Sequence, residues 1–344
     1  MKKEFIKIAN CSGYYGDKLS AAKDLVDGGP IDVLTGDYLA ELTMAILFNQ
    51  KMQRGEDKGY VGTFLKQINE IAKSCKQKNI KIVSNAGGLN PKSMANEIEK
   101  ILNAQSLDMK VAYIDGDDLM PRISDLNQSG EEFRNIDKNM NLNDSDFSPL
   151  TANAYLGAWG IKEALDLGAD IVVCPRVTDA AVVIGPAAWK FNWQRDNYDA
   201  LAGALAAGHI IECGCQATGG NYAFFKEVPS FDNVGYPIAD IFEDDKGAIW
   251  IGYRTKGLVK WKNGDILNHF TKNDGLPTNA INSISQNSKN GDILIGTNAG
   301  FSILKNETEF ENYNFLDGLC NAYAREVKVF GNNIWIGNGS GISL

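Results

Sequence analysis

The stretch IADIFEDDKGAIWIGYRTKGL, residues 238–258, decides how the chain divides. Its first residues close a region in which short Val- and Ile-rich runs alternate with helical patterns. Its last residues open a repeat: AIWIGYRTKGL (248–258) returns as DILIGTNAGF (292–301) and again as NIWIGNGSGI (333–342). Ile251, Ile295 and Ile336 lie 44 and 41 residues apart, and the Asp-Gly-Leu triplets that begin at Asp274 and Asp317 lie 43 apart. Strand–Gly–strand units at a period of about 40–45 residues mark propeller blades. The sequence therefore predicts an α/β domain over 1–240 and an incomplete all-β propeller fragment, two blades and part of a third, over 241–344. No linker separates the two patterns, which meet near Asp240.

Upstream of that point, five runs read as strands: FIKIANCSG (5–13), IDVLTGD (31–37), IKIVSNAGG (80–88), MKVAYIDGDD (109–118) and ADIVVCPRVTD (169–179). They lack strict alternation, as strands buried on both faces do. Helical patterns lie between them, at Tyr38 to Lys51, Thr63 to Lys78, Ser93 to Gln105 and Ala158 to Leu167. This order calls for a mainly parallel sheet with flanking helices. An open doubly wound sheet and a β/α barrel both fit it.

Composition narrows the class. An apolar share of 44% with 22% charged residues belongs to a globular chain, and a net charge of −9 argues against a nucleic-acid partner. The N-terminus MKKEFIKIANCSGYYG lacks an apolar signal core, and no apolar run approaches the roughly 20 residues that span a bilayer. A cytoplasmic location without membrane association is expected. Cys11, Cys75, Cys174, Cys213, Cys215 and Cys320 are scattered without CxxC pairs, as reduced thiols are.

In parallel sheets ligands bind beyond the carboxyl ends of the strands. Here those ends carry Asn10, Cys11, Ser12 and Gly13; Thr35, Gly36 and Asp37; Asn85, Gly87, Gly88 and Asn90; Asp115, Asp117 and Asp118; and Arg176, Thr178 and Asp179. Glycines before a helix let backbone N–H groups approach an anion, and Pro91 is a good first helical residue. Asn10, Ser12, Gly13, Asp37, Asn85, Gly87, Gly88 and Asn90 are the candidate anion-binding set, although tight strand-to-helix turns use the same residues. Asp117, Asp118, Arg176 and Asp179 are the catalytic candidates. The carboxylates suit acid–base work or a divalent cation, and Arg176 suits a two-pronged grip on a carboxylate or phosphate. Helix capping, notably by Asp37, and local ion pairing of Arg176 are the alternatives.

The run AGHIIECGCQATGGN (207–221) holds His209, Cys213 and Cys215 but too few ligands for structural zinc, so it reads as a buried strand and no metal is assigned. His209 with Glu212 forms a second acid–base candidate, and Cys11 a candidate nucleophile or a small buried residue. No cofactor is assigned.

Several long motifs occur in order: residues 8–44, SNAGGLNP (84–91), GDDL (116–119), LTANAYLGAWGI (150–161), RVTDAAVVIGPAAW (176–189) and DALAGALAAGHIIECGCQATGGN (199–221). Together they resemble the acyclic terpene utilisation (AtuA-type) N-terminal domain, from Ile8 to about Ile238. The resemblance carries motif positions onto the strand-end loops and onto Asp17, Glu41, Asn153, His209 and Glu212. It implies a role in breakdown of acyclic terpenoids such as citronellol and geraniol, or of related branched acyl-CoA compounds, with a small acyl or acid substrate, CoA-linked forms included. It implies no particular reaction. The family domain is expected to continue well past Asp240. Beyond that residue, IFEDDKGAIWIGYRTKGLVKW (241–261) and HFTKNDGLPTNAINSI (269–284) resemble two-component regulator propeller repeats. The sequence thus suggests two shortened families in one chain. It is either a catabolic enzyme, a ligand- or partner-binding fusion without catalysis, or a non-functional hybrid. A protein partner or oligomer is expected to cover the open propeller edge.

Overall fold

Five strands run parallel, in the order β4–β5–β3–β2–β1: β1 (Phe5–Asn10), β2 (Val33–Gly36), β3 (Lys81–Gly88), β4 (Val111–Tyr113) and β5 (Ile171–Pro175). The computed structural model describes residues 5–146, 148–214, 225–227, 230, 235–262, 265–330, 333–338 and 341–343. All five strands fall within the runs picked from the sequence. Continuous apolar side chains bury both faces, so each face needs a layer of helices.

Helices α1 (Ala21–Gly28), α2 (Glu41–Arg54), α3 (Gly62–Lys78) and α4 (Pro91–Ala104) cover one face, packing Val26, Leu47, Phe64, Ile68 and Ile98 on Leu34, Ile82 and Val173. A short helix α5 (Ile123–Gln128) follows β4 in a largely exposed polar segment. Helices α6 (Trp159–Asp166), α7 (Ala181–Phe191) and α8 (Tyr198–Glu212) cover the opposite face, where Ile161, Val183 and Ala204 meet Ile8, Val33 and Val172. Two sequence expectations are corrected. Helix α2 begins at Glu41 rather than Tyr38, and Asp37 is not its cap. Residues 207–212 are the last turns of α8 rather than a strand, because their small residues pack helix-wise; Cys215 and the rest of that run lie outside the described residues.

The sheet does not close into a barrel. It continues past β1 through β6 (Ile238–Glu243), β7 (Ile249–Tyr253), β8 (Gly257–Lys262) and β9 (Asp265–Phe270), all antiparallel, making nine strands in one open sheet. "Mainly parallel" therefore holds only for its first five strands. Asp240 sits in the middle of β6, directly opposite Lys7 of β1. The change of sequence pattern thus falls inside a paired strand.

The two halves share a core. Ala200, Ala204, Ala207 and Ile211 of α8 lie with Ile241, Ile249 and Ile251 in one buried cluster. The helix comes so close that a Cβ on Gly203 would stand 2.8 Å from Ile249. Lys7 and Asp240, both almost fully buried, form an ion pair of 2.8 Å, and the ammonium also donates to the carbonyl of Asn282. Burial outweighs the pull of Lys7 and holds the Asp240 carboxyl above its usual range, so the pair specifies the junction more than it stabilises it.

Two further antiparallel sheets follow, the first stacked on β6–β9 and the second on the first. One is β10 (Ile281–Gln286), β11 (Ile293–Thr297), β12 (Gly300–Lys305) and β13 (Glu309–Tyr313); the other is β14 (Ala324–Phe330), β15 (Asn333–Asn338) and β16 (Gly341–Ser343). Trp250, Phe270, Ile284 and Ile295 fill the first interface; Leu294, Phe301, Val327 and Ile336 fill the second. No helix among the described residues is long and apolar enough to cross a membrane.

Asp240→Ala should leave a buried, unpaired ammonium and cost about 3–5 kcal/mol, whereas Lys7→Met combined with Asp240→Leu should recover most of that loss. Urea unfolding of the three proteins checks this.

Candidate functional site

Neighbouring strands β3 and β5 send their chains to opposite faces, β3 into α4 and β5 into α7. In parallel sheets such a switch point, beyond the carboxyl ends of the two strands, is where ligands bind. Pairing is interrupted there between Ser84 and Gly88, and Asn85 and Arg176 stand on its two sides.

Arg176 is only 4% exposed. Its Nη1 donates to the Val177 carbonyl at 2.8 Å and to Asp179 Oδ1 at 3.0 Å, Nη2 lies 3.6 Å from Glu41 Oε1, and the guanidinium covers the ring of Tyr155 at 4.2 Å. Tyr155 in turn donates to Glu41. Nε is buried with no partner among the described residues. The cation is held in place with donor capacity to spare.

Asp37 follows β2 and is almost fully buried. It accepts from Asn85 Nδ2, while Asn85 Oδ1 accepts from the backbone of Tyr38 at 2.8 Å. Burial pushes the Asp37 carboxyl up to about 6; the Asp179 charge adds to this, while Asn85 and Arg176 oppose it. Glu212, the last residue of α8, is pushed up to about 7 by burial and by the charges of Asp37 and Asp179, against the pull of His209 and Arg176. Its Oε2 has no partner among the described residues. Three carboxylates thus share one field with one arginine.

Asn10 places the end of α8. Its buried Nδ2 donates to the carbonyls of Ile211 (3.1 Å) and Glu212 (2.7 Å), as well as to Ser12, and its Oδ1 accepts from Thr35. Orphan carbonyls at a helix end need such donors. Gly13 is required by the same approach, since a Cβ there would lie 2.6 Å from the Cys213 carbonyl carbon.

The structure brings Asp37, Asn85, Arg176 and Asp179 together, but it uses the other candidates locally. Asn10 is consumed by α8, and Ser12 donates to the Tyr14 carbonyl. A Cβ on Gly87 would meet the Cys174 carbonyl oxygen at 2.6 Å. Gly88, at φ +54°, lies against Leu47 and the Gly59 carbonyl. Protein rather than open space faces these two glycines. Asn90 caps α4 by accepting from Ser93 and holds the carbonyls of Glu56 and Lys58. Asp117 accepts from Asn153 at 2.7 Å and feels the backbone N–H of Arg176, while exposed Asp118 accepts from Met120 in a turn. These two staple the β4 loop to residues 153–154 and to the arginine's backbone.

His209 does not pair with Glu212 by hydrogen bond; it is exposed and its Nδ1 meets the Leu205 carbonyl. Cys11 is buried and its thiol is pushed up to about 12, the wrong direction for a nucleophile. Tyr155 was missed in the sequence because its partner Glu41 is 114 residues away. The sequence marks Glu212 as a motif position and as a partner for His209, but not as a neighbour of Asp37 and Arg176. Among the described residues no three His, Cys, Asp or Glu side chains are placed to share a metal ion. Ala180, the N-cap of α7 next to Asp179, adopts φ +67°. Such a conformation in a non-glycine residue costs energy and tends to collect at working sites. Open depressions of about 880 Å³ beside Trp159 and Trp193 and about 610 Å³ beside Phe5 and Lys328 lie away from Asp37, Arg176 and Glu212. Convergent charge, rather than volume, marks the site.

Because the folded Asp37 carboxyl binds its proton more tightly than the unfolded one, its contribution to stability is full below pH 3.8 and is lost as pH rises to about 6. Asp37→Asn should flatten stability across that window, by on the order of 2 kcal/mol relative to the wild type. Thermal melts at a series of pH values check this.

A family model described as "Acyclic terpene utilisation family protein AtuA" matches residues 6–263. The match runs through β8, past the point where the sequence pattern changes. No curated protein matches the chain.

Proposed function

Since the chain belongs to the acyclic terpene utilisation family AtuA, we propose that it is an acid–base enzyme of acyclic terpenoid breakdown. Its substrate is a branched terpenoid acid or acyl thioester. The observation that carries this reading is the buried Arg176, with an unpartnered Nε, set in one electrostatic field with Asp37 and Glu212. Arginine suits the oxygen of a carboxylate or thioester, where negative charge collects when a neighbouring carbon loses a proton. Two carboxyl groups with raised but different proton affinities suit the two proton-transfer roles near neutrality. Glu212, at about 7, is the acid, and Asp37, at about 6, is the base. Asp179 and Glu41 hold the arginine, while Asp117 and Asn10 position Arg176 and Glu212.

We read the three antiparallel sheets as successive blades of the propeller type that the repeat resembles. Continuity of β1 with β6, and the fit of α8 on β7, favour a single folding unit over a hybrid of unrelated fragments.

Incubating the protein in deuterated water with acyclic terpenoid acids, and separately with their CoA thioesters, tests the activity. Mass spectrometry should show deuterium uptake or product with one class. Glu212→Gln and Asp37→Asn should each lower kcat by about 100-fold or more while the protein stays folded. Arg176→Lys should raise KM as well, because a two-pronged contact is lost. The rate should rise with pH through about 6 as the base ionises and fall through about 7 as the acid does. No turnover with either class, or full activity in the Glu212 variant, would refute the reading.

A further inference from the structure

The three repeats can be compared position by position, because the same residue of each meander meets whatever follows it. Trp250, Leu294 and Trp335 occupy one position in β7, β11 and β15. Trp250 and Leu294 are fully buried, the first against the sheet of β10–β13 and the second against the sheet of β14–β16; Trp335 is 40% exposed. Leu258, Phe301 and Ile342 share the next position, and their exposures are 0%, 5% and 70%.

The glycines agree. A Cβ on Gly252 would stand 2.5 Å from Ile281 of the following sheet, and one on Gly296 would meet the Ala324 carbonyl oxygen and Val327 of the next, at 3.0 and 3.2 Å. At Gly337, a Cβ would meet only its own cross-strand neighbour Glu326, at 3.7 Å. The outer face of β14–β16 therefore keeps the knob and the socket that its two predecessors use for packing, with neither filled among the described residues. At its inner end this face opens on the cleft between β14 and the amino end of β1, lined by Phe5, Asp32, Arg325 and Lys328, rather than on packed protein.

We propose that this face is a self-association surface, and that its occupant is the same face of a second copy of the chain. Trp335 and Gly337 are two residues apart on one strand, so both point to the same side of the sheet. A two-fold axis lying in the plane of the interface, perpendicular to β15 and passing midway between them, sets each copy's Trp335 over the other's Gly337 socket. Ile342, paired with Gly337 across the ladder, forms the socket wall. The knob and the socket are thus self-complementary, which an isologous interface requires. The upstream faces of the meanders cannot serve in its place, because each is already covered, by α8 or by the preceding sheet.

Sedimentation of the intact chain across a micromolar concentration range should show a monomer–dimer equilibrium. Hydrogen exchange in residues 333–343 should slow as concentration rises. Trp335→Glu and Gly337→Leu should each weaken the dimer by about tenfold or more. The leucine has open space in the monomer, so its melting temperature should stay at the wild-type value and misfolding cannot account for the loss. A chain that remains monomeric, a dimer unaffected by Gly337→Leu, or concentration-dependent protection confined to other segments would overturn the proposal.

Discussion

The antiparallel pairing of β6 with the free edge of β1 is the constraint on which the rest of this structure depends. Without it, the parallel sheet would end in an exposed edge strand, and the β-rich half would have no layer on which to stack. With it, nine strands form one sheet, α8 gains β7 as a floor, and the following sheets gain a first meander to pack on. The register is set by which side chains face which layer: Ile6, Ile8 and Ile241 go to the α8 layer, while Phe5 and Phe242 go to the meander layer. A one-residue slip would exchange them. It would also part Lys7 from Asp240, leaving two buried charges unpaired.

This pairing reaches the candidate site through α8. The helix ends at Glu212, and its end is fixed by Asn10 at the carboxyl end of β1. The strand that receives β6 along its edge therefore anchors, at its tip, the backbone of Glu212, whose carboxyl is pushed up to about 7. Burial supplies most of the shift for both Asp37 and Glu212, and their mutual repulsion with Asp179 adds to it. Arg176 works against both shifts by favouring the ionised carboxylates. The fold thus places one cation among several acids where strand order reverses.

Much of the first half was legible because apolar runs and helical periods are local. All five parallel strands and the helix beginning at Pro91 follow from the spacing of apolar residues and from Pro and Asn at a helix start. The loops that carry the site were also legible, as carboxyl ends of parallel strands. Their internal ranking was not. Asp118 and Asp117 look as catalytic in sequence as Asp37 does, yet they hold loops together. Gly87 and Gly88 look like an anion cradle, yet backbone and side chains of the protein already fill the space they leave. Small polar residues serve tight packing and ligand binding equally well, and only the neighbours distinguish the two uses.

The sequence by itself determined the five parallel strands, four of the flanking helices, the repeat beyond Asp240 and, through its motifs, the family. Each of these rests on contacts and periods within a few tens of residues. The tertiary structure alone decided that the change of pattern is the middle of a paired strand, that Glu212 feels the charges of Asp37 and Arg176, and that, among the described residues, no following sheet covers Trp335 and Gly337. The physical reason is separation along the chain. Lys7 meets Asp240 across 233 residues, and Asn10 meets Glu212 across 202. Burial and charge act on such pairs through space, and no local pattern records them.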